Sequence, residues 1–490
     1  MIETEILQET EEPEAKRMKQ GTLIIQLQDE SGNKCGNPIE VPENITAPQL
    51  SDLTSSFLES ADEKYAFYTN SVEILKNLGD TLDEIDQKTE GTIVVVYSPI
   101  AVFKVRPVTR CSSEIQGHTE AILTVSFSPE GRYLASGSGD TTTRLWDLTS
   151  ESPEFTLEGH KSHILAISWA PDSKKICTGC KSGQLRLWSP KTGKQTGKVM
   201  TGHKQWITGI AWEPLHQDGS CRRFISSSKD TNAIIWDAVK QVKLITLSNH
   251  QSSVTAVVWG GQGLIYTGSQ DRVVSVWRPD GTYCRALRGH AHWVNSLALN
   301  TSYITRTGAF EPAKAKQSNQ LPEDPATLQK EARELYDKYL KSIGGFERLC
   351  SASDDHTLFL WKPESEKKPL SRLTGHQATI NDVKFSPDAR YLASASFDKS
   401  VKLWCGKTGK FICAFRGHVR PVYTLAWSLD SRMIVSGSSD STLKLFEVST
   451  RKLLKDLPGH ADEVYGVDWS PDGQKVASGG KDRALRLWRK

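Results

Sequence analysis

At 490 residues, with 37% hydrophobic and 24% charged residues, the chain is long enough for more than one domain and has the composition of a soluble globular protein. A formal charge of +3 gives no global drive toward nucleic acid, and no run of about 18 apolar residues is present to form a membrane-spanning helix. The acidic N-terminus lacks the continuous apolar stretch of a secretory signal, so the nine cysteines are expected to be reduced thiols.

Residues 1–20, "MIETEILQETEEPEAKRMKQ", read as a solvated, disordered tail rather than as an import signal built on "AKRMK". Residues 21–100 then alternate short elements. "TLIIQLQD" is a strand, "SGN" a turn and "PIEVPEN" a second strand. "ITAPQLSDLTSSFLES" is a helix with Leu50, Leu53 and Phe57 on one face and Pro48 near its start. "YAFYTNSVEILK" and "GTIVVVYSP" supply further strands, and before the last of these the turn "DEIDQKTEG" carries Asp83, Glu84, Asp86 and Glu90. Two strands, one amphipathic helix and further strands, in that order, resemble the ubiquitin-like fold. No terminal Gly-Gly follows, so a docking module is expected rather than a conjugated tag.

From residue 101 the chain repeats itself. A Gly-His or Asn-His pair precedes an apolar run at His118, His160, His203, His250, His290, His376, His418 and His460, mostly 40 to 47 residues apart. Each repeat closes with an aromatic residue six positions after a turn residue: Asp140 and Trp146, Asp230 and Trp236, Asp271 and Trp277, Asp355 and Trp361, Asp398 and Trp404, Asp440 and Phe446, Asp482 and Trp488. The second repeat has Ser182 in place of the Asp, followed by Trp188. Between these marks, Leu123, Val125 and Phe127 alternate, as do Tyr423, Leu425 and Trp427, which is the period of a strand. "SPEG", "SPDA" and "SPDG" are turns. Cys177 and Cys180 have the spacing of a zinc half-site, but no second pair accompanies them and they fall in an expected strand.

The interval from His290 to His376 is about two repeats long yet has one closing motif, "SASDDHTLFLW". The surplus, about 305–347, predicts a helix capped by Asp324, with Pro325 in its first turn, Leu328, Ala332, Leu335, Tyr339 and Ile343 as an apolar stripe, and Gly344 at its end. The stripe has two readings: it packs on the repeat scaffold, or it docks on a partner. The last repeat ends two residues after Trp488 with no fourth strand of its own. The strand-like "AVFKVRPVTRCSSEIQ" is therefore expected to pair with it and close the array, removing an open sheet edge.

Eight such repeats resemble the WD40 family, whose four-stranded antiparallel blades form a β-propeller. The fold class expected is mainly β: an eight-bladed WD40 propeller over residues 101–490 with an N-terminal ubiquitin-like α+β domain. The resemblance implies that the repeated residues form a buried hydrogen-bonded set in each blade, with His118 bridging Asp140 and a serine of "SGS" above Trp146. His203, Asp230 and Trp236, and His376, Asp398 and Trp404, would do the same. A set present in every repeat reads as scaffold and not as a hydrolase's catalytic group, and no catalytic residue is assigned. No phosphate-binding G-x-x-x-x-G-K-[ST], H-E-x-x-H or G-x-S-x-G stretch occurs, so the chain is not read as an enzyme.

Propellers bind through their loops. The loops after the Gly-His pairs place Trp206, Trp293 and Arg420 on one face, with Tyr423 and Tyr465 near the same rim and Lys229 and Lys481 before their turn aspartates. Aromatic and Arg residues are frequent interface anchors, and the mixture also suits RNA phosphates.

A ubiquitin-like domain joined to eight WD repeats with a helical insertion resembles the Notchless family. That resemblance implies a monomeric, non-enzymatic assembly factor of the large (60S) ribosomal subunit, in the nucleus, at the nucleolus and in the nucleoplasm. Its partners would be the pre-60S particle, with its ribosomal RNA and proteins, and the AAA ATPase midasin; the family name adds Notch. It also implies that a carboxylate of the ubiquitin-like domain completes the coordination of a divalent cation such as Mg²⁺ held in midasin's adhesion site. Glu90, at the entry to the last strand, matches that ligand, with Asp86 its rival. The chain itself would need no metal or cofactor. The alternative function is a substrate receptor or scaffold in ubiquitin ligase or Notch signalling.

Overall fold

The structure, a computed structural model, describes residues 22–29, 34–58, 65–70, 72–74, 77–85, 91–99, 105–310 and 324–490. The expected tail over residues 1–20 lies outside them. The chain divides into two units, Met1–Ile100 and Ala101–Lys490.

In the first unit, β1 (Thr22–Gln28) and β2 (Lys34–Pro42) form an antiparallel pair, and β5 (Ile93–Pro99) lies parallel to β1 with Ile25 opposite Ile93. With β3 (Tyr65–Thr69) and β4 (Val72–Glu73) they make one sheet ordered β2-β1-β5-β3-β4. Helix α1 (Ala47–Leu58) begins where Gln49 Oε1 accepts the Thr46 N–H, one half of a capping box. Leu50 and Thr54 are buried and Leu53 packs partly against the same core, but Phe57 is 46% exposed. Phe57 stands in the last turn of α1 and lies over Gly36 of the outermost strand β2, so the expected three-residue face runs short by one residue.

A second helix, α2 (Leu78–Ile85), was not expected; Asn77 Oδ1 accepts the Asp80 N–H at its start, and Leu78 and Leu82 are buried. Asp83 and Glu84 therefore belong to a helix and not to the turn before β5. Asp86 and Glu90 lie outside the described residues.

The second unit contains eight four-stranded antiparallel sheets. We number them blades 1 to 8: residues 122–157, 164–201, 207–248, 254–288, 294–373, 380–415, 422–458 and 464–489. The first strand of each lies beside the first strand of the next, and that of blade 8 beside that of blade 1, so the sheets form a ring. Each of these first strands is buried at both ends and less buried between, while every residue of most second strands is buried, as in Tyr133–Ser138 and Met433–Ser438. Small residues fill those second strands because a blade is packed on both faces. Tryptophans of the first strands also tie neighbouring blades together: Trp169, Trp212 and Trp427 donate their indole N–H to Ser126, Ser168 and Lys384 carbonyls of the preceding blade.

The ring closes as the sequence predicts. Strand β6 (Arg110–Ile115) is the fourth strand of blade 8, antiparallel to Leu485–Arg489 with Cys111 opposite Trp488. Thr109 N–H reaches the Arg489 carbonyl at 2.9 Å, and Arg486 pairs with Glu114 at 2.9 Å.

The insertion joins the first and second strands of blade 5. Helix α4 (Pro325–Ser342) follows Asp324, whose side chain accepts the Thr327 N–H, with Pro325 in the first turn as expected. Its stripe is used within the propeller: Leu328 and Ala332 pack with Leu215, Cys221 and Ala309. Tyr336, and not its neighbour Leu335, is the third buried residue; its ring stacks on His216 at 4.0 Å and its hydroxyl donates to Glu347. Of the two readings of this helix, the structure supports packing on the scaffold.

A shorter helix, α3 (Ser302–Thr307), precedes it. Arg306 of α3 makes two hydrogen bonds to the Asp468 carboxylate in blade 8 and donates to the Phe127 carbonyl in blade 1. Gly308, at φ +62°, sits against Leu215 and the Pro171 carbonyl of blades 3 and 2. An element that leaves blade 5 thus crosses the ring to the opposite side, at the end away from the Gly-His loops. A cavity of about 290 Å³ beside it is lined by Tyr303, Arg306, Asp382, Trp427 and Trp469 among others.

Candidate functional site

The repeated side chains assemble inside each blade. In blade 6, His376 Nδ1–H donates to Asp398 at 2.7 Å, Nε2 meets Ser394 Oγ at 2.7 Å, and Trp404 Nε1–H donates to the same hydroxyl at 2.9 Å. Asp398 also accepts the Gln377 and Ser400 backbone N–H groups. Burial alone would raise the Asp398 pKa, but the bonds from His376 and Ser400 outweigh it and hold the carboxyl well below its usual range. Burial in turn lowers the His376 pKa. Blades 1 and 3 repeat the arrangement with His118, Asp140 and Trp146 on Ser136, and His203, Asp230 and Trp236 on Ser226. These histidines are buried and bonded on both ring nitrogens, so they are scaffold.

Two blades depart from the pattern. In blade 7, Phe446 fills the aromatic position and Ser436 receives no indole N–H, although His418 still bridges Ser436 and Asp440 at 2.7 and 2.8 Å. In blade 2, His160 Nε2 meets Thr178 Oγ1 at 2.7 Å, and Trp188 donates to that hydroxyl at 2.8 Å. No carboxylate is there: Ser182 Oγ faces Cys180 Sγ at 2.9 Å instead. His160 is 5% exposed, and its Nδ1 alone among the eight repeat histidines is buried without a hydrogen-bond partner. Burial, with the Arg186 guanidinium nearby, pulls its pKa down to about 3, so the ring is neutral. Cys177 and Cys180 are both buried in one strand, and among the described residues no group of three or more His, Cys, Asp or Glu side chains is placed to hold a metal ion.

The loop residues sort into separate groups. Trp206, 38% exposed, has the ammonium of Lys229 3.7 Å from its ring centre and that of Lys181 at 4.7 Å. Trp293, 45% exposed, lies beside His292, which faces Asp354 at 3.4 Å. Tyr423 and Tyr465 are half-buried neighbours with ring centres 5.8 Å apart, and Phe397 stands 5.8 Å from Tyr423 on its other side. Tyr465 donates its hydroxyl to Glu463 at 3.0 Å; burial and that carboxylate push its pKa up to about 12. Arg420 is exposed. Lys481 is paired with Asp462 at 3.2 Å, so its charge is partly spent. Lys181 and Phe397 join these groups in the structure, and both occupy the position before the blade's turn residue, as Lys229 does.

A ring of four-stranded repeat sheets carrying a small α+β unit at its N-terminal end defines a class of WD-repeat protein. The WD domain, G-beta repeat, matches seven stretches: 109–147, 151–189, 194–237, 241–278, 367–405, 409–447 and 451–489. The first three strands of blade 5, split by the insertion, fall in the unmatched interval between 278 and 367. The NLE (NUC135) domain matches residues 23–82. The chain is 51% identical over 371 residues to Protein Notchless of Drosophila melanogaster, covering 75% of each chain. It is 46% identical over 407 residues to Ribosome assembly protein 4 of Saccharomyces cerevisiae, covering 79% of this chain and 78% of that one. Among solved structures, the computationally designed Ika8 protein matches with a TM-score of 0.59 at 24% identity, over 78% of this chain and 100% of that one, which is a likeness of fold alone. The chain belongs to the Notchless family.

Proposed function

We propose that this chain is a non-enzymatic assembly factor of the large ribosomal subunit. Its propeller anchors on the precursor particle, and its N-terminal unit, read as ubiquitin-like, is offered to midasin. The observation that carries this reading is the likeness, over about four-fifths of both chains, to a relative named Ribosome assembly protein 4. The scaffold fits a binding role: the His-Asp-Ser sets are buried, and Trp206, Trp293 and Arg420 are exposed on loops. In this proposal Glu90 supplies the carboxylate that completes a divalent-cation site belonging to midasin.

Sedimentation of the tagged chain from nuclear extract tests the first part; co-migration with large-subunit precursors is expected, and migration with cullin-type ligases instead would reject it. Binding of the full chain to midasin's adhesion domain tests the second. Affinity should fall on chelation of magnesium and on Glu90→Ala, and equal affinity in all three conditions would remove the cation bridge.

A further inference from the structure

The junction between blades 8 and 1, where the ring closes, is stitched differently from its neighbours. The junctions before blades 2, 3 and 7 carry the indole bonds of Trp169, Trp212 and Trp427. In blade 1 the same strand position holds Phe127, which has no side-chain N–H to give. Other junctions use a side chain from one of the two first strands themselves. Thr255 donates to the Val294 carbonyl before blade 5, and Asn295 to the Ile380 carbonyl before blade 6.

The closing junction draws on a third element. The first strand of blade 1 lies at the edge of its sheet, and the Phe127 N–H and C=O find partners outside that sheet. The Asp468 carboxylate of blade 8 accepts the N–H at 2.9 Å, and Arg306 of α3 donates to the carbonyl at 3.2 Å. The same guanidinium donates to both Asp468 oxygens, at 2.9 and 2.5 Å. One side chain from the blade 5 insertion therefore grips the backbone of blade 1 and the carboxylate that blade 8 lends to it. Three acceptors in that arrangement suit the rigid fork of an arginine better than the single ammonium of a lysine.

Arg306 is presented from a fixed strut. Helix α3 has six residues and is about 9 Å long. Before its start, the Asn300 N–H donates to the Arg348 carbonyl at 3.0 Å and the Thr301 hydroxyl to Glu347 at 2.7 Å. Tyr339 of α4 donates to the Asn300 carbonyl at 2.8 Å. At the far end, Gly308 lies against Leu215 and the Pro171 carbonyl, so α3 is anchored on both sides.

We infer that α3 is an internal clamp: through Arg306 it holds the junction of blades 8 and 1 shut from inside the ring, so that β6 can loosen without the ring opening. The two closures act at different radii. Strand β6 is the outermost strand of blade 8 and pairs with Leu485–Arg489, whereas Arg306 acts on the innermost strands. Lys475, which donates to the Leu148 carbonyl and to Glu151, adds a further tie between the same two blades. The clamp belongs to the propeller itself and does not depend on the proposed partners.

Backbone hydrogen exchange on the full chain reads the two closures separately. Arg306→Met should speed exchange of the Phe127 N–H, and of residues 464–469 and 122–127 around it, at least about tenfold, the loss of a charge-assisted contact. Residues 254–259, the first strand of blade 4, should keep their wild-type rates. Ser112→Ala with Glu114→Ala removes two side-chain ties of β6, to the Leu487 carbonyl and to Arg486. That pair should speed exchange in residues 110–115 and 485–489 and leave 464–469 and 122–127 as in wild type. Asp468→Asn keeps an oxygen for the Phe127 N–H but loses the ion pair; it should speed exchange in the same two strands as Arg306→Met, and replaces that variant if it does not fold. Wild-type exchange in 464–469 and 122–127 despite loss of the ion pair would overturn the inference. So would a rise confined to residues 302–307, which would make Arg306 an anchor for α3 alone, or a rise spread evenly around the ring. Faster exchange in 464–469 and 122–127 when only β6 is weakened would also overturn it, because the two closures would then be one.

Discussion

Blades 6 and 2 share a four-stranded plan and a closing tryptophan, and they differ at the turn, where blade 6 has Asp398 and blade 2 has Ser182. In blade 6 the relay from Trp404 through Ser394 and His376 ends on the Asp398 carboxylate. In blade 2 the same relay ends on a histidine Nδ1 that has no hydrogen-bond partner. The blade still forms, because Ile176, Leu185, Leu187 and Trp188 are buried as fully as their counterparts. Apolar packing therefore builds the blade, and the polar set sharpens its geometry and holds the Gly-His loop.

Acid is the broadest way to break the comparison. His376 and Asp398 both have folded-state pKa values below their usual ones. Both groups then bind more protons when unfolded, so stability is full above the unfolded values and is lost as pH falls. The loss should begin below about pH 6.5 and steepen below about pH 4, with six further turn aspartates shifted the same way. Urea midpoints at neutral and acid pH measure it, and a flat profile would mean the networks contribute nothing.

Asp398→Ala should cost about 3 kcal/mol, since it strands the buried His376 and takes the acceptor from two backbone N–H groups. Ser182→Ala should cost less than about 0.5 kcal/mol, its hydroxyl having only a thiol for company. Equal costs would erase the distinction between the blades. In the other direction, Ser182→Asp should stabilise the chain by about 1 kcal/mol by giving His160 its acceptor; a lower melting temperature would show that blade 2 has no room for a carboxylate. The smallest effect is expected from Phe446→Trp in blade 7. A restored indole N–H to Ser436 competes with overpacking against Phe415, which stacks on Phe446 at 4.9 Å, so thermal stability should move by less than about 0.5 kcal/mol.

Much of this was legible in the sequence because repeats expose their own rule. One His, Asp or Trp says little, but eight His, seven Asp and seven Trp in register distinguish scaffold from catalytic residues, and the same register makes Ser182 conspicuous. The closing strand was legible from a missing element at one end and a spare one at the other. Helix α4 was legible from Asp324 and Pro325, while the choice between Leu335 and Tyr336 turned on a partner, His216, over a hundred positions away in the chain. Arg306 and Asp468 are 162 residues apart, and no local pattern predicts that α3 crosses the ring to join them. Helix α2 was missed because, among its described side chains, the buried apolar ones are just Leu78 and Leu82, too few to show a helical period.

Strand β6 carries a mechanical corollary. The polypeptide that leaves the N-terminal unit arrives, within a few residues of Val105, at the strip that seals the wheel. Val105 and Val108 are sunk between blades 7 and 8, and the Val105 amide is fastened to Asp430. Any tug on that unit is delivered first to this seam, so the latch of the propeller is also the point where traction from outside would be felt.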